Sequence, residues 1–330
     1  MILFPTQYST LSSSALARFI AEQYGMAPLT CRLLLRNVSD TYELTDPDGI
    51  RSIFKVYRTD HRSYAEIEEE VTLLVRLRAH GLSVSAPLPD RSGAFIQAFQ
   101  AAEGVRYGVL FTYAGGENVY DLSDAQLRAL GREMAGFHAV PAPEGTCRLA
   151  YTEETTLFGP LERIRPAFEG YEEGYAYLSE TAAAVSERLR RWNTAQFSFG
   201  YCQFDFLPKN FHFAGDTITF FDFDFAGKGF QVLDLTTFFV HFFFHEAHGK
   251  ITREEGDRQF TVFLNAYREV RPLTDEEIAA IPYLFPMFWL FYLGFQYDNR
   301  GDCTHSLFNA RFLRDRVEAV KRFRAMYWNE

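Results

Sequence analysis

The 330-residue chain is short of cysteine: Cys31, Cys147, Cys202 and Cys303 are widely separated and form no C-x-x-C pair. That spacing excludes a disulfide framework and reads as reduced thiols in a cytoplasmic protein. Positive charge is scarce too, with 33 Lys and Arg against 43 Asp and Glu, a formal net charge of −10. The chain therefore lacks the basic field that a nucleic acid or an anionic membrane surface needs, while a cationic small molecule is compatible with it. The N-terminus, MILFPTQYST, has no basic flank followed by a continuous apolar segment, so no signal peptide is expected. The apolar stretch Ile281 to Phe295 is too short and too rich in aromatic and polar residues to span a bilayer comfortably. Repeats and low-complexity tracts are absent. His241, His245 and His248 in HFFFHEAH miss the H-E-x-x-H spacing, which argues against a zinc protease site.

What the chain has in quantity is aromatic side chains: they make up 17% of residues, and 34 are Phe. With this length they can fill the cores of two lobes. Leu11 to Tyr24 has helical spacing with a Ser cap at 12–14. Thr30 to Leu35, Tyr42 to Thr45 and Arg51 to Tyr57 read as an antiparallel meander, its second turn set by Asp46-Pro47-Asp48-Gly49. A charged helix over Tyr64 to His80 follows, stopped by Gly81, then strands at Ala94 to Gln100 and Tyr107 to Thr112. Tyr113-Ala114-Gly115-Gly116 breaks the pattern, which places a boundary between lobes 1–113 and 114–330. Beyond it, helices are expected at Asp124 to His138, Leu233 to Phe244, Arg253 to Val270, Asp275 to Gln296 and Ser306 to Tyr327.

Chemistry concentrates in Tyr201 to Gly229, YCQFDFLPKNFHFAGDTITFFDFDFAGKG. A carboxylate (Asp205), a carboxamide five residues on (Asn210) and a second carboxylate after an apolar strand (Asp222) can converge across a hairpin. Phosphoryl transfer needs such a set: one carboxylate to take the acceptor's proton and oxygen ligands for Mg²⁺. It also needs a fixed cation, and Lys55 sits inside the apolar strand IFKVY, with Glu70 on the next helix as its expected partner. Asp224 is expected to face away from Asp222 along an extended strand. Cys202 reads as core, and Glu246, Tyr297 and Asp298 are candidates for selecting the acceptor.

CQFDFLPKN, FDFDFAGKG and Leu233-Asp234-Leu235, with FKVYR, EEEVTLLVRLRAHGLSV, VLFTYAGGE and LGREMAGFHAV, resemble the aminoglycoside phosphotransferase and choline kinase-like superfamily. The resemblance covers nearly the whole chain and leans toward homoserine kinase-like and stress-response kinase-like members. It implies an α+β, two-lobed protein kinase-like fold and transfer from ATP, or GTP, to the hydroxyl of a small, amine-bearing molecule. Asp205 would be the base, Asn210 and Asp222 the magnesium ligands, and Lys55 the phosphate contact. Asn37, Ser39 and Thr41 would cover the phosphates, and Phe111, Thr112 and Tyr113 would meet the adenine through backbone groups. Asp234 would brace the catalytic loop. The chain departs from C-H-G-D-x-H-P-x-N at Gln203, Phe204 and Leu207. A bacterial protein Ser/Thr kinase and a catalytically weak nucleotide-binding module are the alternatives.

Overall fold

A computed structural model describes residues 4–141, 148–301 and 308–328. They fall into two compact units, residues 4–117 with Thr219–Phe221, and residues 118–141, 148–218 and 222–328. The main break thus follows Glu117, where the sequence pattern suggested Tyr113.

In the first unit, helix α1 (Ser13–Tyr24) is capped by the Ser12 hydroxyl and closed by Gly25 at φ 68°. Strands β1 (Thr30–Arg36), β2 (Ser39–Thr45) and β3 (Arg51–Tyr57) form the expected meander. Its second turn is fixed by the Asp46 carboxylate, which accepts from the N–H groups of Asp48 and Ile50 at 2.9 and 2.8 Å. Helix α2 (Tyr64–Ala79) opens with a Ser63/Glu66 capping box. Strands β4 (Pro87–Leu88), β5 (Ile96–Ala101) and β6 (Gly104–Thr112) complete a six-stranded sheet in the order β1-β2-β3-β6-β4, with β5 on β6. Leu16, Ile20, Tyr42, Leu44, Phe54, Val56 and Leu110 form a core of this unit. A polar network lies beside it. Arg106 is fully buried, donates to Asp40 Oδ2 at 3.0 Å and to the Tyr57 and Ser9 carbonyls, while the Tyr8 hydroxyl donates to Asp40 Oδ1 at 2.9 Å.

The second unit is mostly helical. Helix α3 (Asp124–Ala139) packs closely on a later helix, because Gly131 lacks a Cβ that would strike the Phe263 carbonyl. Strand β7 (Leu149–Ala150) follows, then a π-helical turn (Glu154–Phe158) leading into α4 (Gly159–Ile164), and α5 (Glu172–Arg191). Strand β8 (Phe199–Cys202) leads to the catalytic-loop candidate. Next come β9 (Phe211–Ala214) and β10 (Thr217–Phe220), a two-stranded sheet turning through Gly215 at φ 62°. Strand β11 (Gly227–Phe230) lies antiparallel to β8 and parallel to β7. Helices α6 (Val232–Ala247), α7 (Arg253–Val270), α8 (Asp275–Ala280), α9 (Phe285–Asp298) and α10 (Ala310–Tyr327) finish the chain.

One expected element is different. The single helix predicted over Asp275 to Gln296 is broken by a 3₁₀ turn at Ile281–Leu284. Pro282 and Pro286 each remove a backbone donor, which interrupts the α-helical ladder at that point. By length and composition alone Asp275–Asp298 would pass as a membrane span, but 61% of its most apolar window is buried inside the protein. Cys147, Cys303 and the Ser306 start of the last predicted helix lie outside the described residues.

Candidate active site

The loop after β8 is shaped by its own backbone. The Leu207 N–H donates to the Asp205 carbonyl at 2.7 Å, and the Asn210 N–H donates to the Leu207 carbonyl at 2.9 Å. Pro208 opens the 3₁₀ turn Pro208–Asn210, whose fixed φ suits that position. Asn118 Nδ2 ties the far side down by donating to the carbonyls of Pro208 (2.7 Å) and Phe211 (3.2 Å). Asp205 and Asn210 are thereby brought together, as their spacing suggested.

Asn210 Nδ2 donates to Asp205 Oδ2 at 2.8 Å and to the Asp205 carbonyl at 2.9 Å. Lys209 Nζ reaches the same Oδ2 at 2.7 Å. Asp205 Oδ1 is buried and has no hydrogen-bond partner. Burial raises the Asp205 pKa above the ordinary aspartate value; Lys209 and Asn210 pull it back in part, and Asp222 pushes it up a little further. Burial alone would lower the Lys209 pKa, but the carboxylate of Asp205 and the Tyr292 hydroxyl outweigh it and raise that pKa.

The segment after β10 holds the second carboxylate. Strand β10 ends at Phe220, and Asp222 has φ 58°, in the left-handed region. The alternation of faces expected for Asp222 and Asp224 therefore does not apply, because neither residue is in a strand. Arg148, itself buried, fixes the loop that follows by donating to the carbonyls of Phe223 (3.0 Å), Asp224 (2.6 Å) and Ala226 (2.8 Å). The Tyr151 hydroxyl donates to the Phe225 carbonyl. With Asn210 Nδ2 turned onto Asp205, its Oδ1 is the atom left for a cation, and it and the Asp222 carboxylate are the hard oxygen donors that could hold Mg²⁺. Among the described residues no cluster of three or more His, Cys, Asp or Glu offers a softer metal site.

Asp234, in the first turn of α6, braces the loop as expected. Its Oδ2 accepts from the Gln203 N–H at 2.8 Å and its Oδ1 from the Phe204 N–H at 2.7 Å. Behind it stands a residue the sequence reading gave no role. His138 Nε2 lies 3.0 Å from Asp234 Oδ2, and His138 Nδ1 lies 2.7 Å from the Tyr267 hydroxyl. Burial lowers the His138 pKa, so the neutral ring donates Nε2–H to Asp234 and accepts the tyrosine proton. The close approach of α7 at Gly131 brings Tyr267 within reach.

Phe204 has φ 62°, at the position where the motif C-H-G-D-x-H-P-x-N has glycine. Its ring is fully buried, stacked on Tyr151 with centroids 3.7 Å apart, and edge-on to Phe288 and Phe291. Cys202 is buried core: its thiol points at the Phe230 carbonyl (3.4 Å), and burial lifts its pKa well above the ordinary thiol value. Glu246 accepts from the Tyr327 hydroxyl at 3.0 Å, Asp298 pairs with Arg163 at 3.2 Å, and Tyr297 stacks under Arg300. His241 and His245 lie with ring centroids 4.1 Å apart and planes tilted by 52°, and burial pulls the His241 pKa down to about 3.

In the first unit Lys55 is buried at 9% exposure on β3, paired in register with Thr41 on β2 and Val109 on β6. Glu70 is buried at 1% on α2, whereas Glu66, one turn earlier, serves the Ser63 cap and Arg62. Asn37 stands in the β1–β2 turn, its N–H donating to the Ser39 carbonyl at 3.0 Å. Ser39 and Thr41 lie within β2, so the phosphate loop suggested by sequence reduces to the turn and the start of a strand. At the end of β6, Thr112 donates its N–H to Ala86 (2.9 Å), and its carbonyl accepts the Ser85 hydroxyl (2.6 Å). Phe111 is buried beside it, and the Tyr113 ring lies 3.8 Å from the Arg51 guanidinium.

Comparison with known proteins bears on the family and the fold. The family model described as the phosphotransferase enzyme family matches residues 30–273. An uncharacterized protein of Deinococcus radiodurans is 33% identical over 293 residues, covering 88% of this chain and 84% of that one. The homoserine kinase of Phenylobacterium zucineum is 24% identical over 288 residues, covering 84% of this chain and 82% of the relative. The solved structure of an amicoumacin kinase in complex with AMP-PNP and Ca²⁺ superposes with a TM-score of 0.72 at 22% identity, covering 93% of this chain and 94% of that one. The α+β kinase-like fold expected from the sequence is thus the fold of the chain. By the extent of the family match, the chain belongs to the phosphotransferase enzyme family.

Proposed function

We propose that the chain is an ATP-dependent kinase that moves the γ-phosphate to the hydroxyl of a small, amine-bearing molecule, an amino alcohol or a hydroxy amino acid such as homoserine. The observation that carries this reading is the state of Asp205: Oδ2 is held by Asn210 and Lys209, and Oδ1 is buried without a partner. A lone buried acceptor atom is unfavourable unless a donor arrives, and an acceptor hydroxyl supplies one. Asp205 Oδ1 then orients that hydroxyl and takes its proton as the oxygen attacks phosphorus. Asp222 and the Asn210 Oδ1 would hold Mg²⁺, which supplies charge neutralisation on the nucleotide phosphates. Lys55, with Glu70 as its expected partner, would contribute a fixed ammonium to the nucleotide phosphates. The Asn37 turn covers them, and the nucleotide base falls to the backbone around Thr112.

The amine in the acceptor is favoured by the net charge of −10 and by a relative that acts on homoserine. A protein substrate is disfavoured, because the stretch between Asp222 and Asp234, where a long activation segment would lie, is short and taken up by a loop tied to Arg148 and Tyr151 and by β11. ADP release with Mg-ATP or Mg-GTP across a panel of amino alcohols, hydroxy amino acids, sugars and aminoglycosides tests the reading. At least one acceptor should stimulate release, and Asp205→Ala should lower it by about 10²–10⁴-fold while nucleotide binding persists. Turnover retained by Asp205→Ala would refute the assignment of the base.

A further inference from the structure

Lys209 has so far been given only the holding of Asp205 Oδ2, yet its ammonium is a cation in direct contact with the proposed base. Nζ lies 2.7 Å from Asp205 Oδ2, and the Lys209 side chain keeps 43% of its surface exposed. An ammonium has three donors, and one is directed at Asp205. The Tyr292 ring, 5.5 Å from Nζ, flanks the group on another side. Two of its donors remain beyond the bond to Asp205.

What those donors can meet follows from the carboxylate. Oδ2 already receives two donors, so the acceptor hydroxyl must use Oδ1. An attacking oxygen hydrogen-bonded to Oδ1 has phosphorus about 3–3.5 Å beyond it in a reactive pose. The phosphoryl oxygens then pass close to a cation bonded to the other oxygen of the same carboxylate. That position also has an electrostatic need. Asp205 and Asp222 are near enough for their charges to interact, and an incoming phosphoryl group adds further negative charge. When Asp205 takes the hydroxyl proton it becomes neutral, and the ammonium loses its counter-ion as the acceptor–phosphorus bond forms and the bond to the nucleotide breaks with its electron pair.

We propose that Lys209 is a catalytic residue of the transfer, its ammonium bridging Asp205 Oδ2 and an oxygen of the phosphoryl group in flight. The proposal rests on the kinase reading above. It differs from a purely structural ion pair in predicting a contact made with the planar, transferring phosphoryl group and absent from bound nucleoside diphosphate.

Mg-ADP with and without aluminium fluoride, a mimic of the phosphoryl group in transit, is the probe. Its affinity is measured by calorimetry for the wild-type chain, Lys209→Met and Lys209→Arg, with ADP release from Mg-ATP followed in parallel. In the wild type, fluoride should tighten ADP binding. Lys209→Met should lose about 10²-fold of that tightening and lower kcat by a similar factor, with ADP affinity and the KM for ATP unchanged. Lys209→Arg, which keeps a cation and donors, should recover most of both. Tightening by fluoride that survives intact in Lys209→Met overturns the proposal while leaving the kinase reading in place. Absence of tightening in the wild type, together with no acceptor-stimulated ADP release, overturns the kinase reading and this proposal with it. A loss in Lys209→Met of ADP affinity equal to the loss of fluoride tightening assigns Lys209 to ground-state binding and also overturns it.

Discussion

Asp205 combines two properties that suit a proton acceptor: one oxygen fixed by Asn210 and Lys209, the other buried without a hydrogen-bond partner. Burial places its pKa above the usual value of about 4. The carboxylate must be ionised to act, so kcat/KM should fall as pH drops through that raised value, at higher pH than an exposed aspartate would give. The stability effect has the opposite sense. Between the unfolded and the folded pKa the folded chain binds the extra proton, so Asp205 adds stability at low pH and that contribution is lost as pH rises through the folded value. A pH–rate profile of ADP release checks the first statement, and an acid limb at or below about pH 4 would contradict it. The contact between Asp205 and Asn210 was legible because the two lie five residues apart in one loop, and Asp222 stood out as a carboxylate just beyond an apolar strand. Lys209 and His138 were not, because nothing in their local sequence announces the partner: His138 meets Asp234 from another helix, and Lys209 sits in a turn where a lysine is usually solvated.

At the level of elements, the loop between β8 and β9 is held from behind by a strained junction. Phe204 adopts a left-handed conformation that costs about 1–2 kcal/mol for a residue with a side chain. The buried ring more than offsets this, since removing such a phenylalanine typically loses about 3–5 kcal/mol. Phe204→Gly should therefore destabilise the chain by about 2–3 kcal/mol in a urea titration, even though glycine suits the backbone better. A stabilised variant would show that the stack on Tyr151 contributes little. Sequence reading marked Phe204 as a departure without seeing why the position is special, since φ is not written in a motif. It also missed α5, whose buried side includes Thr181, Ala182 and Ser186 and so blurs the apolar period. It ran α8 and α9 together because strong apolar character masked the effect of Pro282 and Pro286.

Over the whole molecule, abundant phenylalanine and a kinase-like order of motifs made the class of fold readable before any coordinates. What composition could not convey is the polar material inside. In the first unit Arg106 and Asp40 are both fully buried and joined through Tyr8 to the N-terminal segment. Removing one partner of such a pair leaves an uncompensated charge and typically costs about 3–5 kcal/mol. Arg106→Met should lower stability by that amount and speed amide exchange across β2, β3 and β6. A loss below about 1 kcal/mol would place the pair with weak surface bridges. Such long-range partners are invisible to periodicity, because Asp40 and Arg106 each look like an ordinary polar residue in an alternating strand.

The thiol of Cys202 gives this architecture an intrinsic reporter. It sits one residue before the loop that Asp234 anchors, fully buried and held in its protonated, unreactive form. Alkylation at that site is then limited by how often the chain opens around it. Peptide-level mass spectrometry of labelling at Cys202 thus converts a silent core residue into a clock for local opening at the catalytic loop, one that runs without knowing the acceptor.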